Sequence, residues 1–486
     1  MAQEQPSNEK ITGETTSTPS LQDTSNYKPI LNENIYEFMT NAYHGTDGFR
    51  DGSYLIPHSR EIFYDRRRDL AFYKNYFAPI INAQVDPVFN EEADREVIVN
   101  GVVVEEGKLV NTFLDNCDNA KTPLQSFVKD AVKTAKIHGV TFVVVDNFSD
   151  QPDNLQDAIN SRTLPYVYKK TANVVDGYEA DMFGNLLWIR FFDREYKTKD
   201  ESGRTKTVKE YSYWDNLEYK KQIKESAPMG QAKATYIDIE VITHGLTVIP
   251  VIPLYTVVRE DKTIILVSPP FYDIAKINHA IFNKDSEIRD QERAQGFALL
   301  YIPSDMTQTG NTVAGTSNVL WLPMDSPFPP DYASPDPNIL KGLMDNGEML
   351  REDLFRIAGQ NGVVGVEKQQ SGIAKQWDFI AHEMVLQATS RLAEWLEYRI
   401  MDIFKLYTNE EFEYHVMYPT DFQPTAAAQI LEDIDKVMLM DIPELAKLTL
   451  AEKAFKLITL GDDEGKTEEV LKEFKVLMEN AKSIQE

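Results

Sequence analysis

Residues 271–296 read FYDIAKINHAIFNKDSEIRDQERAQG, and the organisation of the chain follows from how this stretch differs from its neighbours. Ile274, Ile277, Ile281 and Ile288 recur at helical spacing on one face, charged residues lie opposite, and Gly296 is a stop signal. A helix of about 20 residues measures roughly 30 Å. The texture changes at Ser268-Pro269-Pro270. Before it, the runs LPYVYKK, LLWIRFFDREY, TVKEYSYWD, TYIDIEVITHG and LTVIPVIPLYTVV are β-branched and aromatic, separated by Asn, Gly and charged turns, and they read as strands of antiparallel character.

Downstream, FALLYIPSDMTQTGNTVAGTSNVLWLPMDSPFPPDYASP is a compact insertion. Two short strands are expected in it, Phe297 to Ile302 and Asn318 to Leu322, joined by a polar Gly/Thr loop and followed by a proline-dense exit. A second helix is expected over Asn338 to Ala358, with Leu340, Leu343, Leu350, Leu354 and Ile357 on one face. Two helices flanking a small β element make a stalk with a tip. The glycine-rich GQNGVVGVEKQQSG then precedes the longest helix, Ile373 to Tyr407, in which Trp377, Ile380, Met384, Ala388, Leu392, Leu396, Ile400 and Ile403 keep three- and four-residue steps. It should span about 50 Å. After Pro419 and Pro424 the remainder reads as helical, with breaks at Pro443 and Gly461 and an acidic final helix.

Toward the N-terminus, residues 1–26 are rich in Ser, Thr, Gln, Glu and Asn and are expected to be disordered. From Tyr27 to about Ala120, aromatic-rich helical pieces (Asn34 to Thr40, Ser59 to Tyr76) accompany REVIVNGVVVEEG, whose Asn100-Gly101 is a two-residue hairpin turn signal. A helix is expected to start with Thr122 as its cap and Pro123 at its first position, run through LQSFVKDAVKTAKIHG and stop at Gly139. VTFVVVD follows as a buried strand. The fold class is therefore α+β.

Composition narrows function by exclusion. With 486 residues, 42% of them hydrophobic, the chain can bury a large core. No stretch approaches the roughly 18–20 apolar residues of a membrane span, and MAQEQPSNEKITGETTSTPS lacks the basic start and apolar core of a signal peptide. A soluble protein, in contact with no membrane, is expected. Cys117 is the single cysteine and cannot form an intrachain disulfide, and seven scattered histidines supply no Cys/His metal cluster. A reducing cytoplasm suits this composition, and neither a metal nor a cofactor is expected. The 77 acidic residues against 50 basic give a formal net charge of −27, which opposes tight binding of phosphates by clustered Lys and Arg. Solubility alone is one reading of that acidity. The other is a surface that DNA slides past without sticking.

The order of parts resembles the portal family of tailed bacteriophages. The resemblance runs from about Thr122 to the C-terminus, and is most specific in PPFYDIAKINHAIFNKDSEIR and in SGIAKQWDFIAHEMVLQATSRLAEWLEYRI, similar to the segment that follows the tunnel loop in many portals. It rests on order and texture, not on fixed catalytic residues. By this resemblance, residues 27–267 form an α+β wing, 268–296 a first stem helix, 297–337 a small β-containing clip, 338–359 a second stem helix, 360–374 a tunnel loop, 375–420 a long helix with a return strand, and 421–486 a helical crown. It implies a dodecameric ring at one capsid vertex, assembled in the host cytoplasm and resident in the virion, through which double-stranded DNA is packaged, retained and ejected. Implied partners are the terminase large subunit, the head-tail adaptor, and the major capsid and scaffolding proteins.

Within that frame Asn361, Val363, Val364, Glu367, Lys368 and Gln369 are the expected contacts of the tunnel loop with DNA. Lys368 and Lys375 are the only positive charges nearby, which suits a loose, sliding contact. Trp321 and Met324 are expected to dock partners at the clip, although either residue is more often core. Between Phe271 and Gln360, 13 acidic residues stand against seven basic ones; any part of that excess facing a channel repels DNA over about 8 Å at physiological salt. Without the resemblance, the paired helices fit an ordinary hairpin within one subunit.

Enzymatic readings find little support in the sequence, and no catalytic residue is expected. His382-Glu383 resembles the start of a zinc-protease motif, but Leu386 stands where the second histidine is needed. No Walker loop, G-x-S-x-G or G-x-G-x-x-G is present, and Gly359, Gly362 and Gly365 follow a helix, the wrong context for cradling phosphate. Cys117 sits between Asp115 and Asp118, whose charges disfavour a thiolate. Two alternatives stay open: another virion or contractile-tail structural protein, which would not need the helix, clip, helix, loop, long-helix order, and a carboxylate-based hydrolase, which would need a concave site.

Overall fold

The computed structural model describes residues 34–422 apart from 60, 62–63, 100–101, 104–107, 148–163, 200–204, 226–234, 297–298, 304–318, 326, 334–335, 360–371 and 410. The expected disordered tail, the six tunnel-loop residues and nearly all of the crown lie outside the described residues. Two compact units divide the chain, Met1–Thr420 and Asp421–Glu486. All elements below belong to the first, and it is a mixed α+β unit. In chain order its helices are α1 (Ile35–His44), α2 (Gly48–Asp51), α3 (Tyr64–Leu70), α4 (Phe77–Ala83), α5 (Lys108–Asp115), α6 (Leu124–His138), α7 (Tyr272–Gly296), α8 (Pro337–Ile357) and α9 (Gly372–Thr408).

At the centre, β3 (Val140–Asp146) lies between β4 (Tyr166–Thr171) and β10 (Val251–Tyr255), antiparallel to both. Its first six residues are all buried, because α6 covers one face and a second sheet covers the other. β10 is an edge strand, the one position where Pro253 removes no needed ladder bond. Gly139 joins α6 to β3 at φ +83, and a Cβ there would sit 2.9 Å from Val267 Cγ2 and 3.0 Å from the Ser268 carbonyl, so glycine satisfies both the left-handed turn and the close approach. The stop at Gly139 is as expected; the start is not, because Pro123 in extended conformation occupies the N-cap and no side chain caps the helix.

The second sheet is an antiparallel meander of β5 (Val175–Ala180), β6 (Leu186–Lys199), β7 (Thr205–Asp215), β8 (Glu218–Glu225) and β9 (Thr235–Thr243). Ile189, Phe191 and Trp214 from its inner face pack on Phe142 and Val144 of β3. In a flat sheet the edge strands β5 and β9 would lie about 19 Å apart. Here Asp176 of β5 accepts a hydrogen bond from the Tyr236 hydroxyl of β9 and pairs with Lys224 of β8 at 3.3 Å, so the sheet curls until its edges meet side chain to side chain. The concave interior is filled by Arg190 stacked 3.5 Å over the Tyr236 ring and by Tyr211 and Gln222, both buried. Sequence reading missed β5 and β8: DG in VDGYEA weakens strand propensity, and EYKKQIKE is too charged to read as half-buried.

A third sheet ties distant parts of the chain together. The expected hairpin forms, with Val99 opposite Val102 in β1 (Asp94–Val99) and β2 (Val102–Val103). β14 (Glu413–Met417), which follows α9, pairs antiparallel with β1 from Asp94↔Met417 to Ile98↔Glu413. The pairing is locked by Glu397 of α9, fully buried, whose carboxylate takes Arg95 Nε at 2.6 Å and the hydroxyls of Tyr414 and Tyr418. Removing the acid leaves two buried hydroxyls without their acceptor and a half-buried guanidinium with only the Ala93 carbonyl and Gln125 as acceptors. Glu397→Ala should therefore cost about 3–5 kcal/mol in a urea-unfolding measurement, with Glu397→Gln intermediate. Equal stability of all three proteins would show that the cluster is not coupled to folding.

Candidate functional site: the helical pair and its β tip

α7 and α8 pack against each other, and Gly347 of α8 is buried in that contact beside Ile288 of α7. At the observed lengths of 25 and 21 residues they measure about 37 Å and 31 Å. The start of α8 is built as the sequence dictates: Asp336 caps it by accepting from Asn338 N at 2.9 Å, and Pro337 occupies the first turn.

The buried face of α7 differs from the expected isoleucine stripe. Ile274 and Ile281 are buried, but so are Asn278, His279, Asp285 and Ser286, so one flank of the core-facing surface is polar. Asn278, with no exposed surface, accepts at Oδ1 from the Tyr73 hydroxyl (2.9 Å), Tyr76 N (2.9 Å) and Phe77 N (3.0 Å), and donates to the Lys74 carbonyl (2.9 Å). Among the described residues the expected helix over Ser59 to Tyr76 is helical over Tyr64–Leu70, and its C-terminal end is lost where Tyr76 N and Phe77 N bond to the Asn278 side chain. Asp285 takes Lys74 at 2.8 Å and Arg351 of α8 at 3.7 Å. Arg67, also buried, reaches Ser286 Oγ at 2.8 Å while holding Glu61 at 2.6 Å. Burial works against the Glu61 carboxylate, yet the Arg67 bonds outweigh it and keep its pKa below the usual range.

The tip is a three-stranded sheet, one strand more than expected. β11 (Leu299–Pro303) runs parallel to β12 (Val319–Leu322) and antiparallel to β13 (Asp331–Ala333). Trp321 lies in β12, its backbone opposite Ile302, and Met324, just beyond the strand, is exposed. Phe328 and Tyr332 are exposed beside it; both were legible as large apolar residues in the proline-dense exit, where the prolines drew the reading toward loop. On α8, Ile357 is exposed and Phe355 takes its expected place in the core. On α9 the expected stripe is buried from Leu396 to Ile403, but Ile380 and Met384 face solvent while His382, Leu386, Thr389 and Ser390 turn inward. A straight helix drifts relative to a fixed neighbour, so one stripe cannot stay in contact along 37 residues.

Charge on the pair is unevenly used. Lys284 pairs with Glu287, Arg356 with Asp353, and Arg289 stacks over Phe72 at 4.1 Å. Asp325, Asp331, Asp336, Asp345 and Glu348, from the tip down α8, are all exposed. α8 is followed by Gly359 at φ +66, and α9 begins at Gly372. Burial, ahead of the Asp118 charge, pushes the Cys117 thiol up to about 12, and burial lowers the His382 imidazole. Among the described residues, no group of three His, Cys, Asp or Glu side chains is arranged to hold a metal ion, and no helix is long and apolar enough to cross a membrane. No protein-family model matches the chain, and a search of curated proteins finds no relative.

Asn278→Leu should leave Phe77 N without its acceptor, while the Tyr73 hydroxyl keeps the Ala42 carbonyl and Tyr76 N the Lys74 carbonyl, and lower stability by about 1–3 kcal/mol in chemical denaturation. A second expectation concerns pH. Burial pushes His279, whose Nε2 donates to the Tyr54 carbonyl at 2.8 Å, from 6.5 down to about 4. A base depressed on folding stabilises the fold fully above its unfolded pKa, and that contribution disappears as pH falls from 6.5 toward 4. His138, likewise driven to about 4 by burial, adds to the same loss. Melting temperature should fall across this window, and His279→Gln should make the fall shallower; an unchanged slope would remove His279 as a contributor.

Proposed function

We propose that this chain is a portal protein of a tailed bacteriophage: one subunit of a dodecameric ring at a capsid vertex, through which double-stranded DNA is packaged, retained and released. The observation that carries the reading is the succession of a paired-helix stalk, Tyr272–Gly296 and Pro337–Ile357, around a three-stranded tip, then a 37-residue helix whose return strand joins the N-terminal hairpin. A ring also accounts for a cost that a lone chain would bear: on α8, Ile339, Met344, Met349 and Ile357 are all exposed. Neighbouring subunits are the covering surface in this reading.

In the ring, the acidic residues of the tip and α8 repel the DNA backbone, and the segment with Asn361, Val363, Val364, Glu367, Lys368 and Gln369 provides the weak contact. Terminase and then the head-tail adaptor dock at the tip through Trp321 and Met324, and among the described residues there Met324, Phe328 and Tyr332 are exposed. The energy for translocation comes from the partner ATPase. Location in the virion, and contact with the major capsid and scaffolding proteins, follow from the same reading.

Negative-stain electron microscopy with mass determination tests it. Rings with a central channel are the expected result; a fibre or a compact closed oligomer would favour another virion or tail structural protein. Met344→Asp combined with Met349→Asp should lower the ring fraction several-fold while leaving the melting temperature of the single chain unchanged, since both side chains face solvent in it.

A further inference from the structure

A cleft of about 490 Å³ opens far from the stalk, where the end of β3, the start of β4, the β7–β8 turn, the end of β9 and the last turn of α9 converge. Its volume suits a small organic group. Four aromatic rings wall it, Tyr166, Trp214, Tyr219 and Tyr407, together with the carboxylates of Asp146 and Glu240. Trp214 and Tyr219 stand with ring centroids 4.7 Å apart. No lysine or arginine is among the lining residues. His244, which also lines it, has both ring nitrogens engaged, Nε2 donating to the Asp215 carbonyl at 3.0 Å and Nδ1 accepting from Leu246 N at 3.2 Å. α9 ends here, so its C-terminal carbonyls add partial negative charge.

Two buried polar atoms at the cleft have no partner among the described residues, Trp214 Nε1 and Tyr407 Oη, and Trp214 is 1% exposed. Unpaired buried donors are costly and uncommon in a finished core. Asp146 accepts from the Tyr166 hydroxyl at 3.0 Å and from Asn147 N at 2.8 Å, and burial raises its pKa against those bonds and His244, which lower it.

We propose that this cleft binds an organic cation, an alkylammonium or guanidinium head, held by Asp146 and Glu240 and enclosed by the aromatic faces. Aromatic walls with a carboxylate at the floor recognise such heads because ring quadrupole and anion act in the same direction. This inference does not rest on the portal reading.

Isothermal titration of the full chain tests it with two probes: agmatine, a free amine carrying both kinds of head, and N-acetylarginine methylamide, which adds the carbonyls of a polypeptide. Agmatine binding as well as the amide assigns the cleft to a free amine, and binding of the amide alone assigns it to a basic side chain of a polypeptide. Asp146→Asn should weaken the bound probe about tenfold, and Tyr407→Phe less. Glu240→Gln, at an exposed position, gives a second variant whose folding is not at issue and should weaken the probe several-fold. Absence of heat with both probes at millimolar concentration, or affinity unchanged in both the Asp146 and the Glu240 variants, would overturn the proposal.

Discussion

The arrangement of this protein depends on one buried amide. Asn278 lies inside α7 where a leucine would satisfy the helical pattern, and its side chain replaces four backbone and hydroxyl partners for residues 73–77. Because that segment leads directly into α4, whose Phe77, Ile80 and Ile81 are fully buried, the amide orients the N-terminal helices around the first half of the stalk. α8 is then placed by contact with α7, through the packing of buried Gly347 beside Ile288 and the pairing of Asp285 with Arg351. A polar group inside a core costs stability unless every bond is satisfied, and full satisfaction makes the geometry specific.

Glu397 plays the corresponding part for α9 and the third sheet. It joins α9 to β1 and β14, residues separated by about 300 positions in sequence, and it is the reason that the end of the long helix and the N-terminal hairpin behave as one structure. The two clusters use charge for opposite ends. Asp285, Glu397 and Glu61 are committed to internal partners, whereas the acidic residues of the tip and α8 are left to solvent. The excess of 13 acidic over seven basic residues between Phe271 and Gln360 is a modest share of the net −27, so the acidity is spread along the chain.

Much of the secondary structure was legible in the sequence. Amphipathic spacing marked α7, α8 and α9 to within a few residues, Asn100-Gly101 marked the hairpin, and Gly139 marked the end of α6. These are local signals, set by backbone conformation and by which side chains share a face. The failures also had local causes: the charged β8, the glycine-bearing β5, and a third tip strand hidden among prolines. The expected DNA contacts between Asn361 and Gln369, and the expected docking residues Trp321 and Met324, rest on the portal resemblance and not on a local pattern. The six residues that wall the cleft beside β3 carry no signal in the sequence, since they come from six separate elements with no shared spacing.

The sequence by itself determined that the chain is α+β, that its middle is antiparallel strand and its second half long helix, and that its acidity disfavours tight phosphate binding. Each of these depends on composition or on near-neighbour periodicity. Tertiary structure alone decided which polar residues are interior, that the five-stranded sheet curls until Asp176 meets Tyr236, and that Ile380 and Met384 of α9 face solvent while His382 does not. The physical reason is that burial is a property of pairs of elements. A side chain's environment is fixed by what packs against it from tens or hundreds of residues away, and no local pattern encodes that partner.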